Sequence, residues 1–574
     1  MNAELLLAHF HRLGDAPDAV PRLRRFILDL AVRGKLVEQN AKDEAVSVLT
    51  KRIATAREKK FKGGKAKWQQ GDVPALDRYP IALPKHWGWI TLRELGFLSG
   101  GMTPSKARYD FWEGDIGWLS SADIKSDELH SSELKITKAA LEGTSLNLYP
   151  PGSLVMVVRS GILKHTLPVS VIRKETTVNQ DLKVLQPYVP NMERYIQIML
   201  RGLNGFIIEE LVKGGTTVQS LKFDEFVSQP FPLPPLAEQA RIVAKVDELM
   251  ALCDTLEAAQ QEREQQRTRL SAASWQALTE GTEGAARFAL EQLPALTTRP
   301  GQVKALRQTI LDLAVRGKLV EQDKRDEPAG VLLKKIAAER TRLVGSGKLR
   351  GSATGKKYKV DAPYAIPSSW SWVAFGQLMY SRDGERIPVS KEERQIRAKT
   401  YDYYGASGVI DKIDGFLFDK PLLLIGEDGA NLINRSTPIA FIARGKYWVN
   451  NHAHVLDGIS ESFLRFIEIY INATDLKPYV TGTAQPKMNQ AKMNSIPVAV
   501  PPEAEQGRIV AKVEALMALC DGLEAALREG EGLKGKALEA VLGEQLADRG
   551  MSQLANGKRV YPEAGEEVRI AAEP

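Results

Sequence analysis

ILDLAVRGKLVEQ fills Ile27–Gln39 and returns letter for letter at Ile310–Gln322, 283 positions later. The same offset carries Val48, Leu49, Lys51 and Ile53 onto Val331, Leu332, Lys334 and Ile336. It also carries Pro84, Trp87 and Trp89 onto Pro367, Trp370 and Trp372. A second repeat follows each copy. RIVAKVDELMALCDTLEAA begins at Arg241 and RIVAKVEALMALCDGLEAA at Arg508, an offset of 267. The difference between the offsets is absorbed where the copies stop resembling each other, about 97–213 against 380–480. A frame has been duplicated while its two inserts diverged, which predicts two related structural units in one chain.

The frame reads as helix. Ile242, Val246, Leu249, Cys253 and Leu256 recur at a 4-3-4-3 spacing, repeated by Ile509, Val513, Leu516, Cys520 and Leu523. Such a stripe buries one narrow seam against another helix. PFPLPPLAEQ and PVAVPPEAEQ announce the two helices, because proline opens a helix but is excluded from its interior. A helix continuing to about Leu278 is some 40 residues, or roughly 60 Å at 1.5 Å per residue. Two such helices with like stripes are expected to pair antiparallel about a pseudo-twofold axis. The inserts read differently. GSLVMVVRSGILKHTLPVSVI and PLLLIGEDGANLINRSTPIAFIA are short β-branched runs broken by Gly, Asn and Pro, the pattern of strands and turns, with helical patches such as MERYIQIMLRGL and SFLRFIEIYINA between them.

The expected class is therefore α+β: two mixed α/β globules separated by long antiparallel coiled-coil helices. The expected order is an N-terminal helical region (1–66), a first globule (67–234), a first spacer helix (235–280) and a linker with the central helical repeat (281–345). A second globule (346–501), a second spacer helix (502–548) and a polar tail (549–574) follow.

Bulk composition narrows the function classes. The chain has 574 residues, with 78 Lys and Arg against 71 Asp and Glu, a surplus of +7 that fits local basic faces rather than a wholly basic protein. Two cysteines, Cys253 and Cys520, exclude a disulfide framework and a four-cysteine zinc site, and point to a reducing, cytoplasmic setting. The N-terminus has no signal-peptide pattern and no apolar run reaches about 18 residues, so no membrane is expected.

Several stretches together resemble the specificity (S) subunit of type I restriction-modification systems. They are LAVRGKLVEQ, the helix entries PLPPLAEQARIV and PPEAEQGRIV, and TGTAQPKMNQAKMNSIPVAVPPEAEQ before the second long helix. LLIGEDGA and VNNHAHVL in the second insert, with MVVRSGI and VNQDLKVL at the corresponding places of the first, complete the resemblance. The first copy departs from it, with GGTTVQSLKFDEF where the second has GTAQPKMNQAKM. The resemblance implies that each insert is a target-recognition domain reading one half of an asymmetric, bipartite site in double-stranded DNA. It implies that the helices space the readers and dock two methyltransferase (M) and two restriction (R) subunits. S-adenosylmethionine, ATP and Mg are then expected on those partners, with no cofactor in this chain.

Base edges are read by directed donors and acceptors, Arg or Lys to guanine and Asn or Gln to adenine. Candidates in the first insert are Ser120, Arg159, Lys164, His165, Gln180, Lys213, Thr216, Thr217 and Gln219. In the second they are Arg382, Arg386, Tyr404, Arg435, Asn450, His452, Gln485, Lys487 and Asn489. Taken singly, each is more commonly a solvated or structural polar residue. The Thr216–Gln219 and Gln485–Asn489 loops stand out because they precede the long helices at equivalent positions. Lys213 and Lys487 suit phosphate, which positions without specifying.

Other features have plainer readings. His452 and His454 form an H-x-H pair, but no Cys or carboxylate cluster completes a metal site, so none is expected. Cys253 and Cys520 are seam fillers. Core anchoring suits the HWGWI and SWSWV tryptophans better than base stacking, and GEDGA (Gly426–Ala430) reads as a tight turn. No phosphate-binding G-x-x-x-x-G-K-[ST], no N/D-P-P-Y/F methyltransferase signature and no Ser-His-Asp or H-E-x-x-H arrangement is present, so no catalytic residue is expected. Two other classes stay open: an enzyme in its own right, and a coiled-coil scaffold whose inserts bind protein rather than DNA.

Overall fold

A computed structural model describes residues 16, 18–62, 83–215, 218–349, 358, 360–482 and 485–546. The expectations at Thr216 and Thr217 and for the polar tail lie outside these residues. The chain divides into two units, one of Met1–Glu262 with Leu533–Pro574 and one of Arg263–Gly532. The long helices are Leu236–Glu280 and Glu503–Leu546. The first passes from the first unit into the second, and the other returns.

The first unit holds a five-stranded sheet in the order Gly96–Gly100, Leu182–Pro187, Leu154–Val157, Val169–Ile172, Glu128–Leu129. Its strands LVMV and VSVI are buried at every position, which is why they lack the alternation of a half-exposed strand; the one polar residue, Ser170, donates to the Ser126 carbonyl. A three-stranded sheet (Leu134–Ile136, Trp112–Leu119, Thr176–Val178) and a small ribbon (Val212–Lys213, Gln219–Leu221, Arg159–Ser160) flank it. In the second unit the central sheet runs Tyr380–Ser381, Ala453–Asp457, Leu422–Gly426, Ala440–Ala443. A second four-stranded sheet runs Gly408–Ile413, Tyr401–Gly405, Lys446–Val449, Phe418–Asp419. In each unit a two-stranded pair closes the insert: Gly88–Thr91 with Pro230–Leu233, and Ser371–Ala374 with Pro497–Val500.

The frame repeats at the level of single bonds. Gln39 donates to the buried Glu238 at 2.6 Å, and Gln322 to the buried Glu505 at 2.6 Å. Arg241 pairs with Asp43 at 2.7 Å and Arg508 with Asp326 at 2.6 Å. Gln239 donates to the Pro234 carbonyl at 2.9 Å and Gln506 to that of Pro501 at 3.0 Å. Each letter of the shared E-Q-x-R entry therefore fastens the start of a long helix to the frame. Burial raises the carboxyl pKa of both Glu238 and Glu505. Trp87 and Trp370 are core anchors, each edge-on to an aromatic ring at 6.5 Å, Tyr195 and Phe466 respectively.

The apolar stripes are buried, against the unit in which each helix starts. Ile242, Val246 and Cys253 enter the first unit's core, with Leu249 and Leu256 packed on its edge. Ile509, Val513 and Cys520 enter the second, with Leu516 and Leu523 at its edge. The helices Ala19–Val32 and Val303–Val315, which carry the exact repeat, lie against them. Arg24 bonds Asp254 and Glu257 at 2.6 and 2.8 Å, and Arg307 bonds Asp521 and Glu524 at 2.7 and 3.0 Å. Leu538 and Leu542, from the end of the returning helix, join the first core.

Candidate nucleic-acid interface

In the first unit the ribbon gathers most of the sequence candidates. Ser220 pairs with Arg159 on one side and Lys213 on the other, while Gln219 lies opposite Ser160. The 3-10 turn Gly161–Lys164 follows, pinned by the fully buried Leu163 and by the Ser160 hydroxyl, which accepts from the Ile162 amide. Arg159, Lys164, His165 and Lys213 are exposed around it, and the half-buried Gln219 donates to the Gly215 carbonyl at 3.2 Å. Ser120 and Gln180 form a neighbouring group where Leu119 and Val178 end their strands: Asn179 donates to the Leu119 carbonyl at 2.9 Å. The Ser120 hydroxyl donates to Asp123 at 2.8 Å, and Gln180 accepts from Thr103 at 2.7 Å. The two groups adjoin, because the Val158 amide donates to the Asp181 carbonyl at 2.9 Å.

The second unit builds the same place differently. The segment leading to its long helix is pinned by backbone bonds between Thr481 and Lys487, from Met488 to the Glu427 carbonyl, and from Gly429 to the Pro486 carbonyl. It lies against Glu427–Gly429 as the first ribbon lies against Arg159–Ser160, so GEDGA is the counterpart of VRSGI. GEDGA, expected as a tight turn, instead runs from the strand end at Gly426 through the bridge of Asp428 with Lys487 and bends only at Gly429, before the helix Asn431–Asn434; both of its acids are bonded. Glu427 accepts from Arg386 at 2.9 Å and Lys487 at 3.2 Å, and Asp428 faces His452 at 2.8 Å. Burial by itself would raise Glu427, but Arg386, His454 and Lys487 hold it below the ordinary range.

The candidates of the second unit divide accordingly. Gln485, Lys487, Asn489 and His452 are exposed and belong to this cluster, with Asn489 capping the Lys492 amide at 3.0 Å. Five others make internal bonds or packing contacts. Arg382 is tied to Asp457 and Glu385, and Arg386 to Glu427 and the Ala453 carbonyl. Arg435, in a left-handed backbone conformation, donates to the Thr474 carbonyl at 2.6 Å. Tyr404 stacks on Phe441 with centroids 5.8 Å apart, and burial pushes its hydroxyl pKa up. Asn450 is buried and accepts from the His452 amide at 2.8 Å, as the buried Asn179 does from the Asp181 amide at 3.1 Å. The shared asparagine of VNQD and VNNH therefore holds a turn in both units.

His452 and His454 do not share a face. His452 is exposed, whereas His454 is buried, bonded to Asp383 at 2.7 Å and to the Met488 carbonyl at 3.0 Å. Asp383 escaped sequence reasoning because His454 and the Val455 amide, which its carboxylate oxygens meet, lie 71 and 72 residues away. Among the described residues no group of three or more His, Cys, Asp or Glu is placed to hold a metal, and no helix is long and apolar enough to cross a membrane. Both cysteines are buried, which raises their thiol pKa values.

Two closed inserts on one repeated frame, each presenting a polar loop just before a long helix, define a modular recognition protein. A family model for the type I restriction modification DNA specificity domain matches the chain twice, at residues 84–264 and 367–530. These matches cover more than half of the sequence, and the chain belongs to that family. The type I restriction enzyme EcoEI specificity subunit of Escherichia coli is 28% identical over 560 residues, 89% of this chain and 91% of that protein. The EcoAI specificity subunit of the same organism is 28% identical over 561 residues, with the same coverage of both chains. A solved chain from the HsdS subunit of Thermoanaerobacter tengcongensis aligns over 81% of this chain and 98% of its own, at 15% identity and a TM-score of 0.38.

Proposed function

We propose that this chain is the non-catalytic specificity subunit of a type I restriction-modification complex, recognising an asymmetric bipartite DNA site. The observation that carries this reading is the contrast between frame and inserts. Three fastenings of the frame recur in both units, while the loops at the equivalent position carry different groups. Arg159, Lys164, His165, Lys213 and Gln219 would address one half-site, and Gln485, Lys487, Asn489 and His452 the other. Different donors select different bases, so unlike loops give an asymmetric target.

A duplicated frame also offers the same outer surface twice. Leu252 and Leu519 occupy equivalent positions and stand 59% and 69% exposed. Ala251 and Ala518, also exposed, flank them. An exposed leucine repeated in this way suits a partner that binds twice, and we assign this surface to the methyltransferase subunits. Restriction subunits would join that assembly, and S-adenosylmethionine, ATP and Mg would be supplied there.

The test is enrichment of a randomised duplex pool by the chain co-purified with its methyltransferase partner. A split target with two dissimilar halves is expected. Recovery of no common sequence, or of a palindrome, contradicts the proposal. The scaffold alternative predicts binding to DNA that is weak and nearly independent of salt, whereas phosphate contacts make affinity fall steeply with salt.

A further inference from the structure

His454 sits in the strand Ala453–Asp457 with its side chain 2% exposed. Its two ring nitrogens face two acceptors. Nδ1 lies 2.7 Å from the Asp383 carboxylate and Nε2 3.0 Å from the Met488 carbonyl. The carbonyl can only accept. The carboxylate is already an acceptor, taking the Val455 amide at 2.8 Å on its other oxygen, Oδ1, and the Gln490 side-chain amide at 3.4 Å on the oxygen that faces His454, Oδ2. Two ring nitrogens that must both donate require the imidazolium form. We propose that His454 is a positioning residue, a buried imidazolium whose two N–H groups clamp residues 486–488 of the pre-helix loop onto the turn at Asp383.

All the charged groups that meet there act in the same network. Asp383 and Arg386 come from the turn after Tyr380–Ser381, Glu427 from the end of Leu422–Gly426, and Lys487 from the loop itself. Glu427 lies 3.8 Å from His454 Nδ1 and accepts from both Arg386 and Lys487, so the clamp and the loop lysine share one carboxylate. Burial alone would lower the His454 pKa, but Asp383, the Met488 carbonyl and Glu427 outweigh it and the pKa stands raised. Burial would raise Asp383, but His454 and the Val455 amide hold it low. The clamp is whole between these two titrations. It weakens at high pH as the imidazolium loses its proton, and at low pH as Asp383 gains one. At the matching position of the first unit stands Lys183, over the Phe223 ring at 5.4 Å, so the first loop has no such clamp.

For its consequence this rests on the reading of residues 485–489 as a half-site reader. The clamp itself is tested without DNA, by hydrogen exchange on the full chain, comparing a peptide spanning 481–492 with one spanning 212–221. In His454→Gln, protection of 481–492 is expected to fall by about tenfold, the size of one broken buried hydrogen bond, with 212–221 unchanged. Asp383→Asn keeps the shape and is expected to give the same local loss. In the unsubstituted chain, protection corrected for intrinsic exchange should fall in one titration as pH rises, with a midpoint above that of an ordinary histidine. Equal protection in all three proteins, or no titration in the unsubstituted chain, overturns the clamp. Base discrimination is then measured with the co-purified complex on duplexes mismatched in either half. His454→Gln should lower it about tenfold in one half only. Local loss of protection with discrimination intact in both halves would uphold the clamp and sink the reading role of the loop.

Discussion

Gly34 and Gly317 explain why the repeated run contains R-G-K. Both have a left-handed backbone, φ 66° and 69°, just past the helices Ala19–Val32 and Val303–Val315. A Cβ on Gly34 would meet Pro84 Cγ at 2.4 Å, and one on Gly317 would meet Pro367 Cγ at 2.6 Å. The proline and tryptophan of L-P-x-x-W and I-P-x-x-W therefore close over a glycine that no side chain can replace. Gly34→Ala and Gly317→Ala should each destabilise their unit by about 2–4 kcal/mol, from positive-φ strain and overpacking together, measured by urea unfolding. Asp43 gives a pH dependence. Its hydrogen bond to Arg241 holds its carboxyl below the ordinary range despite burial, so its contribution is present above the normal aspartate pKa and lost as pH falls. Asp43→Asn should flatten the acid limb of the stability curve; an unchanged limb refutes the assignment.

Each long helix has an inner and an outer face, and the two should answer mutation differently. Ile242 and Ile509 are fully buried at the inner face. Ile242→Ala and Ile509→Ala should each cost about 2–4 kcal/mol, the transfer and cavity terms of a well-packed core. Leu252 and Leu519 point outward, so Leu252→Asp or Leu519→Asp should change stability by less than about 0.5 kcal/mol. Native mass spectrometry of the complex should then show each single variant losing one methyltransferase subunit and the double variant losing both. Full retention by the double variant would remove the outer face from the docking surface. The stripe was legible because a 3.6-residue period displays it in any sequence. Its neighbours were not: the stripes enter the cores of the units in which their helices start, through contacts between residues far apart in the chain.

For the whole molecule, duplication makes the halves separable. Replacing residues 84–235 with the corresponding insert of a relative should change one half-site and leave the other intact, read by methylation mapping. A change in both halves would show that the inserts do not act independently. DNA affinity should also fall with salt in proportion to the phosphates contacted, and charge-removing substitutions such as Lys213→Gln should lower the slope by about one while leaving sequence preference unaltered.

The sequence by itself determined the frame. Identical letters at two offsets marked the two copies, and the structure gives both the same fastening, Gln39 to Glu238 and Gln322 to Glu505. It also marked where each insert ends, through the prolines and the E-Q-x-R entry of each long helix. Tertiary structure alone decided which polar residues face outward. Asn450, Arg382 and Gln485 are alike as letters, yet the first holds a turn, the second is paired inside the unit and the third is exposed. Burial and pairing depend on contacts between residues far apart in the chain, such as Asp383 and His454, and no local pattern encodes them.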